Sequence, residues 1–340
     1  MRHITALTLA VFAHLVLGLG GLAPARAQAA APEPQAKSTP RPFLYQLEGH
    51  GATAYLFGTV HLPDKRVTAL APAVERALAE ADAVFTEVEL TREAERESQR
   101  AALLPAGERL SATLGEALAA RLDQRLKRHR LALALFEGQR PWAVTALLPM
   151  LPILTELAQQ PALDKVLYQR AVKDGKRVGG LETVAEQVGV FAGLAPEEDR
   201  ALLTHALDQL DRYDREGRNG VEELLLAYLS GDPARLLALM DEGFAGDPAL
   251  ERKMADRIVW ERNRRLSERI QAHIAQKPGD VHFFAVGALH LPDGAVAPTV
   301  GDGEASEAER ARVRGMLTLL REAGYRVTRV TEAVPAATTK

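Results

Sequence analysis

The chain contains no cysteine among its 340 residues. That removes disulfides, thiolate metal sites, a cysteine nucleophile and a lipidated cysteine anchor together, so any metal site must be assembled from His, Asp and Glu. A basic excess is missing as well. Against 42 Lys and Arg stand 45 Asp and Glu, which argues against nucleic acid as a partner. Three catalytic signatures are also absent: there is no Gly-x-Ser-x-Gly elbow, no His-Glu-x-x-His pair and no phosphate-binding loop. Serine hydrolases, common zincins and nucleotide enzymes are therefore disfavoured. What is present is a globular composition, 47% apolar and 26% charged, in a length that gives one large domain or two modest ones.

Residues 1–27 read as a secretory signal peptide, with a basic start at Arg2, an apolar run from Ile4 to about Leu22, and a small-x-small ending at Ala25 and Ala27. The competing reading is a retained membrane anchor, against which His14, the glycines and the alanine-rich end weigh. The expectation is export across the inner membrane to a bacterial periplasm, with no stable membrane span after the leader is removed. Residues 28–42, rich in Ala and Pro, read as an unstructured tether, and 332–340 as a frayed tail.

The next segment predicts two strands, Phe43 to Glu48 and Thr53 to Phe57, around a turn at Gly49, His50 and Gly51. A helix from about Pro72 to Ala81 and a strand from Ala83 to Leu90 follow, an order that implies a crossover and a partly parallel sheet. From Glu93 to about Ala275 the pattern is helical, with one brief strand at Lys176 to Glu182. Within it, WAVTALLPMLPILTEL reads as a buried core helix broken at Pro152, Leu122 to Leu131 as a solvated charged face, and about Ala249 to Ala275 as one long helix. Strand character returns at Val281 to Leu291, then a helix from about Ser306 to Ala323 and a last strand from Tyr325 to Val330. The expected class is α/β (α+β): one domain over 43–331, with a mixed central sheet built from both ends of the chain and a large helical insert at about 93–275.

One phrase occurs twice. Gly58 to Asp64 reads GTVHLPD and Gly287 to Asp293 reads GALHLPD, identical at five of seven positions and each following an apolar strand. Ligand sites in open α/β sheets form beyond the carboxyl ends of strands, where Gly58 and Gly287 allow a sharp turn or close approach of a ligand. His61 and His290 then project from two strand ends. An isolated histidine more often bonds a nearby carbonyl, but the duplication favours a site in which two imidazoles face each other, suited to a divalent ion completed by a carboxylate and water. The strand AVFTEVEL supplies Glu87 and Glu89 on one face, with Phe85. Glu87 lies in an apolar stretch and must be paired, protonated or metal-bound; Glu89 is second choice, and a solvent-exposed edge is its plainer reading. Asp64 and Asp293 follow proline and read as turn formers.

These features resemble the TraB/GumN family, which includes the TIKI metalloproteases. GTVH at Gly58 to His61 and GALH at Gly287 to His290 match its two Gly-x-x-His motifs, and FTEVEL places Glu87 at its acidic position. GLETVAEQ from Gly180 and WERN from Trp260 resemble two further elements of the family. The likeness covers about Phe43 to Val330. It implies a fold similar to the erythromycin-esterase and ChaN-like group, and divalent-metal-dependent peptide hydrolysis with manganese, cobalt or zinc. The stretch 295–310 is longer and more polar than the family pattern leads one to expect.

In such a metallohydrolase His61, His290 and Glu87 hold the ion and its bound water attacks a carbonyl. Glu182 or Glu89 is the candidate general base, Arg262 the candidate oxyanion partner and Asn263 a group that orients the ligand. Structural roles compete: Arg262 as a surface charge among Arg257, Arg264 and Arg265, and Glu182 as a cap for a helix near Thr183. A metal-free variant uses one histidine as base, a carboxylate to orient it and the other histidine to stabilise charge. A non-enzymatic alternative is a periplasmic binding or envelope and polysaccharide assembly protein that keeps the pocket. The ligand class is a peptide or small molecule.

Overall fold

The computed structural model describes residues 41–191, 193–241, 247–294 and 306–331. The expected signal peptide, all but the last two residues of the tether, most of the polar stretch after the second histidine phrase, and the tail lie outside them.

Six strands form one sheet: β1 (Leu44–Gly49), β2 (Ala52–Thr59), β3 (Ala83–Val88), β4 (Arg177–Glu182), β5 (His282–Gly287) and β6 (Arg326–Arg329), in spatial order β4-β3-β5-β2-β1-β6. The β1–β2 hairpin turns on His50 and Gly51, with φ of 52° and 75°. Two consecutive positive φ values make the tight turn whose twist suits paired strands. β2, β5, β3 and β4 run parallel, while β1 is antiparallel to both β2 and β6. Helix α1 (Pro72–Glu80) carries the chain from β2 to β3 and buries Ala73, Val74, Ala77 and Leu78, with Pro72 at its first turn. It passes over a gap that β5 fills from the other end of the chain. All six positions of β3 and of β5 are buried, as befits central parallel strands covered on both faces.

The insert contributes α2 (Leu163–Lys173), α3 (Pro196–Glu216), α4 (Gly220–Leu229), α5 (Pro233–Asp241) and α6 (Glu261–Gln276), and α7 (Met316–Glu322) precedes β6. Several sequence expectations are corrected. The apolar segment from Pro141 is α-helical to Leu147, passes through a 3₁₀ stretch over Leu148–Ile153 where Pro149 and Pro152 remove donors, is α-helical again over Leu154–Gln159, and is buried through Leu151. The helix Glu116–Arg128 is solvated on one side only, where Gln124, Lys127 and Arg128 are exposed. Leu122, Arg125 and Leu126 are buried, and Arg125 reaches Asp211 at 2.6 Å and Asp214 at 2.9 Å on α3. The long helix expected near 249–275 contains a π-type turn over Asp256–Trp260 immediately before α6. The single helix expected at 306–323 is two, Glu307–Arg312 and α7. Between them Gly315 donates its N–H to Asp293 Oδ1 at 2.6 Å, and Thr318 Oγ1 donates to Asp293 Oδ2 at 2.9 Å.

Candidate active site

The parallel register sets Thr59 of β2 opposite Gly287 of β5, so the two Gly-x-x-His phrases leave the sheet side by side. Neither glycine serves a left-handed turn: Gly287 has φ −53°, and Gly58 is not among the positive-φ residues. Both serve close packing instead. A Cβ on Gly58 would stand 2.6 Å from Leu291 Cδ1, 2.9 Å from Phe43 Cβ and 3.1 Å from the Ala288 Cα, and one on Gly287 would stand 3.2 Å from Glu87 Oε1. The first phrase therefore packs directly on the second. β5 ends at Gly287, short of the strand expected to Leu291, and Ala288–His290 form a 3₁₀ turn that tucks His290 inward.

At the floor lies Arg262, fully buried with 0% exposure. It enters on the inner stripe of α6, in line with Leu266, Ile270 and Ile274. Its Nη2 donates to Glu87 Oε2 at 2.5 Å and to Glu182 Oε2 at 2.7 Å, and its Nε donates to Glu182 Oε2 at 2.9 Å. Arg265 donates to the other Glu182 oxygen through Nε at 3.0 Å and through Nη2. Glu87 also accepts from Gln187 Nε2 at 3.1 Å, and its second oxygen accepts from the Gly287 backbone N–H at 2.7 Å. Two carboxylates and two guanidiniums thus balance, and each buried oxygen has a donor.

The histidines join this floor differently. Asn263 donates its Nδ2 to the Arg314 carbonyl at 3.0 Å, which turns its Oδ1 toward His290 Nδ1 at 2.7 Å. His290 must therefore donate from Nδ1, leaving Nε2 as an acceptor facing Arg262 Nη1 at 3.2 Å. His61 instead places Nδ1 2.6 Å from Asp164 Oδ2, a buried carboxylate on α2, whose other oxygen accepts from Thr59 Oγ1 at 2.5 Å.

These surroundings move the protons apart. Burial and then Arg262 pull His290 down to about 3, against the opposing charge of Glu87. Burial also opposes charge on His61, but the Asp164 carboxylate and its hydrogen bond, helped by Glu87, outweigh it and lift the imidazole above its ordinary value. Burial works to raise Glu87, yet Arg262, the two imidazoles and the Gly287 N–H hold it well below the carboxylate range. Arg262 is correspondingly raised, because Glu87 and Glu182 more than offset its burial.

His61, Arg262 and His290 line one cleft together with Gly287. Of the remaining candidates, Glu87 and Glu182 lie beneath Arg262, and Asn263 stands behind His290. Arg262 is no surface charge, and the helix near Thr183 is capped by Thr183 and Glu186 rather than by Glu182. Glu89 lies apart. It follows the end of β3, is exposed, and lies 3.4 Å from the Tyr168 hydroxyl, lining a separate surface groove with Thr91 and Arg269. Sequence reasoning missed Asp164 and Gln187. Asp164 had no local signal beyond an acidic residue in a first helical turn, whereas Gln187 stood inside the quoted GLETVAEQ element.

As placed, the proposed ligands His61, His290 and Glu87 do not fit an ion. Among the described residues no group of three or more His, Asp or Glu is arranged to hold one. The acceptor nitrogen of His290 faces a buried guanidinium, and both oxygens of Glu87 are taken by donors.

A mixed α/β fold with paired strand-end histidines over a buried Glu–Arg–Glu floor defines the class. The TraB/PrgY/gumN family model matches residues 43–297, and the chain belongs to that family. Metalloprotease TIKI2 of Danio rerio is 27% identical over 297 residues, covering 74% of this chain and 55% of that protein. Metalloprotease TIKI1 of Homo sapiens is 25% identical, with 70% and 56% covered. The metalloprotease TIKI homolog of Amphimedon queenslandica is 24% identical, with 88% and 64% covered. The chain thus spans little more than half the length of these relatives. No solved structure matches, and the expected similarity to the erythromycin-esterase and ChaN-like fold rests on the family resemblance alone.

Proposed function

We propose that the chain hydrolyses peptide bonds in a bacterial periplasm, with His61 and Asp164 as the pair that carries the proton. The supporting observation is the 2.6 Å His61–Asp164 contact at a cleft that also holds Arg262 and His290. In this reading His61 takes a proton from water as it attacks the carbonyl, and returns it to the departing amine. Asp164 holds the ring and stabilises the imidazolium, a division of labour familiar from base–carboxylate pairs. Arg262, kept charged by Glu87 and Glu182, supplies positive potential to the developing oxyanion. His290, oriented by Asn263, keeps Arg262 in place and stays neutral.

The relatives are named metalloproteases, which supports a second reading, a metal-dependent hydrolysis in which the expected manganese, cobalt or zinc would have His61, His290 and Glu87 as its holders. It requires Arg262 to release both His290 and Glu87 from the arrangement described above. Export to the periplasm is supported by the leader anatomy of residues 1–27. The deciding experiment is digestion of a peptide library by the purified chain, with and without chelator, beside His61→Ala and Asp164→Asn. Turnover that survives chelation and collapses in both variants supports the first reading. Chelator-sensitive turnover with stoichiometric metal supports the second, and ligand binding without turnover leaves a pocket protein.

A further inference from the structure

Besides the two histidines, the cleft is lined by apolar side chains from the insert and the second phrase: Met150, Leu236, Leu239, Met240, Ile258 and Leu289. Among the described residues the ionisable side chains at this cleft, tyrosine aside, are His61, Arg262 and His290. Its hydroxyls point into the protein, Thr59 donating to Asp164 at 2.5 Å and Tyr228 to the Gly58 carbonyl at 2.8 Å. Arg262 is already matched by Glu87 and Glu182. A cationic side chain entering here loses its water and meets no carboxylate in the lining, and an anionic one meets only an arginine already shared between two carboxylates. An aliphatic one loses only unfavourable hydration, and Met150 and Met240 adapt to its shape. The cavity volume is about 50 Å³, several times what one water requires. That suits a short branched or thioether side chain better than a long acyl chain.

We propose that this cavity is a specificity pocket for a neutral aliphatic side chain, of the leucine or methionine kind, on a residue flanking the bond to be cut. The assignment rests on the hydrolytic reading above, and its test separates the two. Fluorogenic peptides identical except for Leu, Met, Asp or Lys at one position, walked along the sequence, report cleavage. The same peptides with the scissile amide reduced to CH₂–NH report binding by calorimetry. At one position Leu and Met peptides are cut at least about tenfold more efficiently, in kcat/KM, than Asp or Lys peptides, the range a hydrophobic pocket reaches. Leu239→Glu, a change at the half-buried mouth, narrows the Leu-over-Lys preference by about tenfold or more while circular dichroism stays unchanged. Cleavage with no aliphatic preference at any position overturns the pocket and leaves hydrolysis standing. Aliphatic-selective binding of both peptide sets without cleavage sinks hydrolysis and upholds the pocket. Equal or no binding of Leu and Lys analogues, or a Leu239→Glu protein with unchanged selectivity, also overturns it.

Discussion

His61 and His290 end the same short phrase at neighbouring strands, yet their rings live in opposite surroundings. His61 meets a carboxylate from α2; His290 meets an amide and a guanidinium from α6. The repeat brings the chain out of neighbouring strands twice, past Thr59 on one side and through a 3₁₀ turn after Gly287 on the other, and the helical insert decides what each imidazole meets. Tuning two titratable groups apart in this way is how one fold assigns separate roles to like residues.

The sharpest way to break this contrast is at its floor. Arg262→Met leaves Glu87 and Glu182 buried without their shared partner and is expected to destabilise the protein by about 3–5 kcal/mol. Urea denaturation checks this, and a loss below about 1 kcal/mol shows that the floor is not a coupled network. Asp164→Asn is close to isosteric, so the fold persists while peptide turnover falls about 10²-fold or more, whereas Asn263→Ala on the His290 side costs less. Equal effects of the two substitutions erase the division between the histidines. The glycines offer a third comparison. Gly58→Ala drives a methyl into the Ala288 backbone and Phe43, at about 1–3 kcal/mol by overpacking; Gly287→Ala meets looser contacts and loses less. Chemical melts of the two variants give the order directly.

The smallest expected effect concerns a carboxylate without such partners. Asp199 Oδ1, on α3, has no hydrogen-bond partner among the described residues, and burial raises the group to about 6 although Arg140 opposes the rise. The folded state therefore holds this proton more tightly than the unfolded chain does. Its contribution is present below pH about 4 and is lost as pH climbs through about 6, and solvent screening of this partly exposed group keeps it small. Asp199→Asn flattens that part of the stability–pH curve; an unchanged curve refutes the assignment.

Much of the sheet could be read locally. Apolar runs marked β3 and β5, the glycine turn marked the hairpin, and the duplicated phrase pointed to two strand ends standing together. The partners of the histidines could not be read so. Asp164 approaches Thr59 across 105 residues, and Gln187 approaches Glu87 across 100, so only tertiary packing reveals them. Arg262 did carry a signal, since it heads the apolar stripe of Leu266, Ile270 and Ile274 at helical spacing, but its arginine neighbours masked it. The break before α7 was hidden for the same reason as Asp164: the carboxylate that accepts the Gly315 N–H lies 22 residues upstream.

The position of β5 has a consequence for synthesis. This strand sits between β2 and β3, yet its residues, His282–Gly287, come after the whole helical insert. A nascent chain can close the β1–β2 hairpin, but β2 and β3 have nothing to join them until that insert has been made. The central layer therefore closes around one very long loop, a non-local step that slows folding.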